Sequence, residues 1–186
     1  MKAHWEKKRR VMNHYDTTAY LYDLQYSEEQ KLKIKFSLNN LNLKLEFFLL
    51  DVGCGTGLLF DYVSESVNVV VGVDISRGIL GKAKEKIKGK KNVFLVQADA
   101  DYLPFQDGIF DAVFAITLLQ NIPSPIKTLK EISRVAKNHA AIIITGLKKK
   151  FNPKNFEQLL STIFLLERFW DRRELNDYIA LLSKRF

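Results

Sequence analysis

The sequence predicts a doubly wound α/β fold in which a parallel sheet carries helices on both faces. Two observations carry this: short aliphatic runs alternate strictly with segments whose apolar residues recur every three or four positions, and a glycine-rich turn closes the first of those runs. The runs "FFLLDV" (47–52), "VNVVVGVDI" (67–75), "NVFLVQAD" (92–99), "FDAVFAI" (110–116) and "AAIIITGL" (140–147) read as buried strands. Between them, "GLLFDYVSES", "SRGILGKAKEKIKG" and "SPIKTLKEISRVAK" read as helices. In the last of these, Ser124 is expected to cap the N-terminus and Pro125 to occupy the first turn, while Ile126, Leu129, Ile132 and Val135 line one face. Strand and helix in this order imply right-handed crossovers.

Composition limits the rest. A chain of 186 residues with 47% hydrophobic content can bury one sizeable core, so a single domain is expected. No run approaches the roughly 18 to 20 apolar residues of a membrane span, and "MKAHWEKKRR" is charged where a secretory leader turns apolar. No membrane association and a cytoplasmic location are the expectations. Cys54 is the single cysteine, and His4, His14 and His139 lie at no metal-binding spacing, so no metal is expected. The net charge of +8 invites a nucleic-acid reading. The lysines of "KAKEKIKGKK" (82–91) nonetheless spread around a helix as a solvated surface, and the run Lys7, Lys8, Arg9, Arg10 reads as a solubilising arm ahead of an RNA contact.

Ligands of doubly wound sheets bind beyond the carboxyl ends of the strands. Gly53, Gly55 and Gly57 of "LLDVGCGTGLLF" (49–60) stand at such an end, where glycine lets the backbone approach a ligand and the next helix offers free N–H groups. A dinucleotide would use G-x-G-x-x-G and set its pyrophosphate there. Here the spacing is G-x-G-x-G, and Asp51 would repel phosphate. S-adenosylmethionine has no phosphate and carries a sulfonium and an ammonium, for which a carboxylate is attractive. Two more carboxylates end the next strands. Asp74, 17 positions after Gly57, can accept hydrogen bonds from ribose hydroxyls, and Asp99 can accept one from an exocyclic amine such as that of adenine. Singly, Asp74 can equally be a helix cap and Asp99 a turn-former; three such residues beside one glycine loop favour the ligand.

These residues resemble the class I, seven-stranded, S-adenosylmethionine-dependent methyltransferases over most of the chain. "LLDVGCGTG" is similar to the family's first motif, "VVGVDIS" to its second, "VQADADYLPF" to its third and "FDAVFAITLLQNIPSP" to its fourth. The resemblance implies that Asp51 and the loop Gly53, Cys54, Gly55, Thr56, Gly57 hold the methionine part, Asp74 with Ile75 the ribose, and Asp99 with Ala100 the adenine. Ile116, Thr117 and Leu118 would flank the sulfonium. It also implies a mostly parallel seven-stranded sheet completed by an antiparallel hairpin from "FLLERFWD" and "NDYIALLSK". The single domain would then comprise a helical lid (1–45), a cofactor-binding core (46–147) and a C-terminal helix and hairpin (148–186).

"HYDTTAYLYD" (14–23) is similar to a segment that, in members acting on quinones, other small molecules or tRNA, folds over the cofactor; Tyr15 or Tyr22 would then border the methyl group, or form a packed helix face. Methyl transfer is an in-line displacement that needs a base only when the nucleophile must lose a proton. Gln120 and Asn121 stand where substrate-orienting residues belong, in place of the Asn-Pro-Pro-aromatic motif of many N-methylating members, and can also simply cap a turn. Cys54 lies in the cofactor loop, which disfavours C5-pyrimidine chemistry. The charge and the cluster Lys148, Lys149, Lys150, Lys154 lean toward an RNA or ribonucleoprotein acceptor. A small-molecule methyltransferase and a catalytically silent subunit are the alternatives. "AITLLQNI" resembles relatives that work with a small zinc-binding activator protein, so a monomer or such a heterodimer is expected.

Overall fold

The computed structural model describes the backbone of residues 2–185 and the side chains of 4–18 and 27–185. Seven strands form one sheet in the order β3-β2-β1-β4-β5-β7-β6. They are β1 (Phe48–Val52), β2 (Val69–Asp74), β3 (Val93–Gln97), β4 (Phe110–Ala115), β5 (Ala136–Leu147), β6 (Phe164–Trp170) and β7 (Asp177–Lys184). All neighbouring pairs from β3 to β5 are parallel, and β7 runs antiparallel to both β5 and β6. The expected sheet and closing hairpin are therefore both present.

The alternation of side chains along each strand feeds two cores. Leu49 of β1, Ala112 and Phe114 of β4, Ile143 of β5 and Ile179 of β7 pack on one face with Ile34, Phe60 and Ala83. Leu50, Val52, Val113, Ile142 and Ile144 point the other way, onto Leu129, Ile132, Phe156 and Leu160. The first face is covered by helices α1 (Lys2–Leu38), α2 (Phe60–Val63) and α3 (Arg77–Lys86), and the second by α4 (Pro125–Val135) and α5 (Pro153–Ser161).

Some local expectations are corrected. "GLLFDYVSES" contracts to four helical residues in α2. Pro125 opens α4, but the Ser124 side chain makes no capping bond, and its carbonyl instead accepts from the Lys127 N–H at 3.2 Å. In α4, Leu129, Ile132 and Val135 are buried while Ile126 is only partly so. The basic N-terminus is no loose arm: it is the first part of α1, and Lys8 is 7% exposed.

Helix α1 reaches across the carboxyl ends of the strands and is tied to α3. The Gly78 N–H donates to the Asp16 carboxylate at 2.8 Å, and the Ser76 hydroxyl, itself the N-cap of α3, donates to the same oxygen. Gly78 allows this approach, because a Cβ there would lie 2.9 Å from the Asp16 Cα.

Candidate functional site

The strand ends and α1 enclose a cleft of about 670 Å³, including its open mouth. Gly53, Gly55, Asp74, Ile75, Asp99, Ala100, Ile116 and Thr117 line it from the sheet side, with Lys8, Val11 and Tyr15 on the α1 side. A smaller cavity of about 350 Å³ lies behind the glycine loop, lined by Asp51, Cys54, Thr56 and, from α1, Gln30. Gly53, Gly55 and Ile116 belong to both walls. Gly57 belongs to neither: a Cβ there would strike the Phe60 ring at 2.4 Å, so this glycine serves packing. The side chain of Tyr22 lies outside the described residues.

The loop holds its shape through backbone bonds to β2, with the N–H groups of Gly53 and Cys54 donating to the Val73 carbonyl at 2.7 and 2.9 Å. Gly53 and Gly55 have φ of 75° and 55°, a region L side chains rarely adopt, and a Cβ on Gly53 would lie 2.8 Å from Leu118 Cδ1. An open wall of backbone next to Ile116 and Thr117 results.

The carboxylates differ in environment. Asp51 is buried, and burial first, then the neighbouring Asp74, pushes its pKa up to about 8. Asp74 accepts from the Gly55 N–H at 3.1 Å and the Ser76 N–H at 2.9 Å. Burial raises it too, against those two bonds. Ser76, not Asp74, caps α3, so the helix-cap alternative for Asp74 gives way to a loop clamp that also faces the cleft. Asp99 accepts from the Asp101 N–H at 3.0 Å, the turn-forming bond, and still lines the cleft. Both of its oxygens receive Lys8 Nζ at 2.7 Å, and Lys8 also bridges to the buried Asp101. Burial works against the charged Lys8, and its bonds to Asp101 and Asp99 outweigh that and raise its pKa. Burial likewise pushes the Cys54 thiol up, away from nucleophilic use.

At the far end of the cleft, Asn121 Nδ2 donates to the Tyr15 hydroxyl at 3.1 Å and to the Thr117 carbonyl at 3.3 Å. Both residues line the cleft. Gln120 instead turns its amide onto the Thr117 carbonyl at 3.0 Å and is absent from the lining. Thr117 itself has a φ of 59°, which for a residue other than glycine costs about 1–2 kcal/mol. Lys8 and Asp16 carry no local sequence signal as site residues, because each makes its contacts across a long chain separation that no local motif encodes. Among the described residues no cluster of His, Cys, Asp and Glu could hold a metal, and no helix is long and apolar enough to cross a membrane.

Comparison with known proteins places these features in a family. Residues 50–144 match the methyltransferase domain. The malonyl-[acyl-carrier protein] O-methyltransferase of Marinomonas sp. is 32% identical over 149 residues, 79% of this chain and 55% of that protein. The demethylmenaquinone methyltransferase of Staphylococcus saprophyticus is 36% identical over 129 residues, 68% of this chain and 55% of that protein. The chain thus spans about 55% of the length of both relatives. In structure, a SAM-dependent methyltransferase from Aquifex aeolicus superposes with a TM-score of 0.74 at 21% identity, covering 86% of this chain and 98% of that one. Magnesium protoporphyrin IX methyltransferase from Synechocystis, solved with bound SAM, gives 0.78 at 17% identity, covering 96% and 97%. Matched motifs, a seven-stranded sheet with an antiparallel hairpin, and strand-end carboxylates at Asp51, Asp74 and Asp99 agree: the chain belongs to the class I S-adenosylmethionine-dependent methyltransferase family.

Proposed function

We propose that this protein transfers a methyl group from S-adenosylmethionine to a small, largely apolar acceptor of the quinol type. The observation that carries the acceptor reading is the roof: α1 closes the cleft with Val11 and Tyr15 facing Leu118, Asn121 and Ile122. An acceptor entering there meets apolar walls and one polar pair, Tyr15 and Asn121. The Staphylococcus relative supports the quinol class, since its name gives demethylmenaquinone; the Marinomonas relative's name gives malonyl-[acyl-carrier protein], an acceptor of another kind. The RNA reading loses part of its basis, because Lys148 is spent on Asp171 at 2.5 Å and on the Arg172 carbonyl at 2.7 Å. Lys149 and Lys150 are exposed, as ordinary solvated lysines are.

The residues fit the cofactor. Gly53 and Gly55 present bare backbone, Asp51 offers a buried carboxylate to a cation, and Asp74 and Asp99 stand where ribose and adenine groups would meet acceptors. When bound, the cofactor supplies an electrophilic methyl on a sulfonium. The chain's own part is alignment and exclusion of water: α1 covers the reacting centre, and Tyr15 and Asn121 orient the acceptor oxygen. With a naphthoquinol, loss of one hydroxyl proton to water makes the ring carbon nucleophilic; that carbon bonds the methyl as the methyl–sulfur bond breaks, and loss of the ring C–H proton to water restores the aromatic ring, so no strong base is required of these side chains.

The experiment incubates the protein with labelled S-adenosylmethionine and, in parallel, a reduced demethylated naphthoquinone and demethylated total RNA. Label in the naphthoquinol and none in RNA is expected. Label in RNA alone would overturn the acceptor reading.

A further inference from the structure

Lys33 is 1% exposed, lies on α1, and takes no part in the cleft wall. Its ammonium has three neighbours: Thr117 Oγ1 at 2.7 Å, Glu29 Oε1 at 3.2 Å and Asp177 Oδ1 at 3.2 Å. Neither carboxylate oxygen receives an aligned hydrogen bond. A buried lysine that served only as a core ion pair would aim its N–H groups at the carboxylates, where charge-assisted bonds are strongest. Here the aligned bond goes to a neutral hydroxyl, that of the one non-glycine residue with positive φ among those described.

Thr117 is held from every side. Its N–H donates to Thr145 Oγ1 at 2.8 Å, and the Thr145 hydroxyl donates to Asp177 Oδ2 at 2.9 Å. Gln30 Nε2 donates to the Thr117 hydroxyl at 3.1 Å. Lys33 therefore closes a network joining α1, β5 and β7 to the residue just past the end of β4. The consequence lies in the Thr117 carbonyl, which accepts from both Gln120 and Asn121 and so sets the acceptor-side polar pair. A β-branched residue does not stay in the left-handed region unless its surroundings impose it.

We propose that Lys33 is a positioning residue for methyl transfer: through the Thr117 hydroxyl it fixes the left-handed backbone at Thr117, and with it the placement of Asn121 in the cleft wall. The proposal rests on the S-adenosylmethionine reading but not on the identity of the acceptor, and its test needs no acceptor.

The test records the methyl resonance of S-[methyl-¹³C]adenosylmethionine bound to the wild type, Lys33→Met, Thr117→Gly and the double variant, with affinity by calorimetry. Glycine adopts positive φ without an anchor. Lys33→Met is expected to shift or broaden the bound methyl resonance while changing affinity less than about threefold, and the same change made on Thr117→Gly is expected to leave the resonance where Thr117→Gly alone puts it. An unmoved resonance in Lys33→Met, or an equal shift in both backgrounds, would overturn the proposal and leave Lys33 a core ion pair. If Lys33→Met does not fold, Lys33→Met/Asp177→Asn removes both charges together and is read against Asp177→Asn in the same two backgrounds. A wild type that binds no S-adenosylmethionine overturns the donor reading, and this proposal with it.

Discussion

Lys8 and Asp99 are separated by 91 residues in sequence, yet Lys8 Nζ lies 2.7 Å from each carboxylate oxygen of Asp99. The contact docks the start of α1 onto the loop after β3, at the place where an adenine amine would find its acceptor. Lys8 also compensates Asp101, which is 6% exposed and accepts a hydrogen bond from the Thr128 hydroxyl of α4. One lysine thus ties α1 to both the cleft wall and the second core.

Removing Lys8 leaves two neighbouring carboxylates without their cation. Lys8→Ala is expected to lower unfolding free energy by about 1.5–3 kcal/mol, the range of a lost hydrogen bond to a charged group. Asp101→Asn added to it should recover part of the loss, because the orphaned charge disappears. Urea unfolding of the single and double variants checks this; equal stability of Lys8→Ala and wild type would show that the pair contributes nothing.

Asp74 clamps the glycine loop and faces the cleft, and a substitution touches both. Asp74→Ala is expected to weaken S-adenosylmethionine binding by about 1.5–3 kcal/mol through the lost ribose contact. It should also loosen the Gly55 and Ser76 N–H groups that the carboxylate now holds. Hydrogen exchange of the ligand-free protein separates the two: faster exchange at Gly55 with unchanged affinity would mean that Asp74 is a loop clamp only.

The core of the fold was readable because its signals are local. Most of the aliphatic runs end at or beside glycine or aspartate, and each became a strand within two residues of its expected start, except β5, which begins at Ala136 directly from α4. Tertiary pairing with β4, where Phe110 meets Ala136, extends that strand into residues with no strand period of their own. The strand-end placement of Asp51, Asp74 and Asp99 was readable because Asp51 and Asp74 lie in the last two residues of β1 and β2 and Asp99 two residues past β3. Lys8 and Lys33 were not, since a lysine in a basic helix looks solvated until the sheet brings Asp99 or Asp177 beneath it. The missing Ser124 side-chain cap shows the same limit: the residue type suits a cap, but its φ of −136° and ψ of 86° come with no capping bond from the side chain.

Gly57 tests the division between ligand-facing and packing glycines. Gly57→Ala forces a Cβ to 2.4 Å from the Phe60 ring at a φ of 77°. It is expected to destabilise the protein by about 1–3 kcal/mol, the cost of overpacking a core, before any effect on the cleft. Thermal unfolding with and without S-adenosylhomocysteine checks this: a wild-type melting temperature without ligand would contradict the packing role.

Asp51 makes cofactor binding depend on pH with a definite sign. Its folded pKa is pushed from 3.8 up to about 8, so between those values the folded protein holds a proton that the unfolded chain has released. Stability of the ligand-free protein therefore has a contribution that is present at low pH and declines as pH rises toward 8. On the proposed reading, in which Asp51 meets the ligand's ammonium, binding requires the opposite state, an ionised Asp51. Below pH 8, binding must expel that proton, and affinity should climb with pH by up to about tenfold per unit until Asp51 is ionised before the ligand arrives. Calorimetry near pH 7 in two buffers of different ionisation heat should count close to one proton released per S-adenosylmethionine bound. In Asp51→Asn the count should fall to near zero, affinity should drop and lose its rise with pH, and the decline of ligand-free stability toward pH 8 should flatten. Proton release that persists unchanged in Asp51→Asn would assign the titration to another group, with Asp74, also raised by burial, the next to substitute.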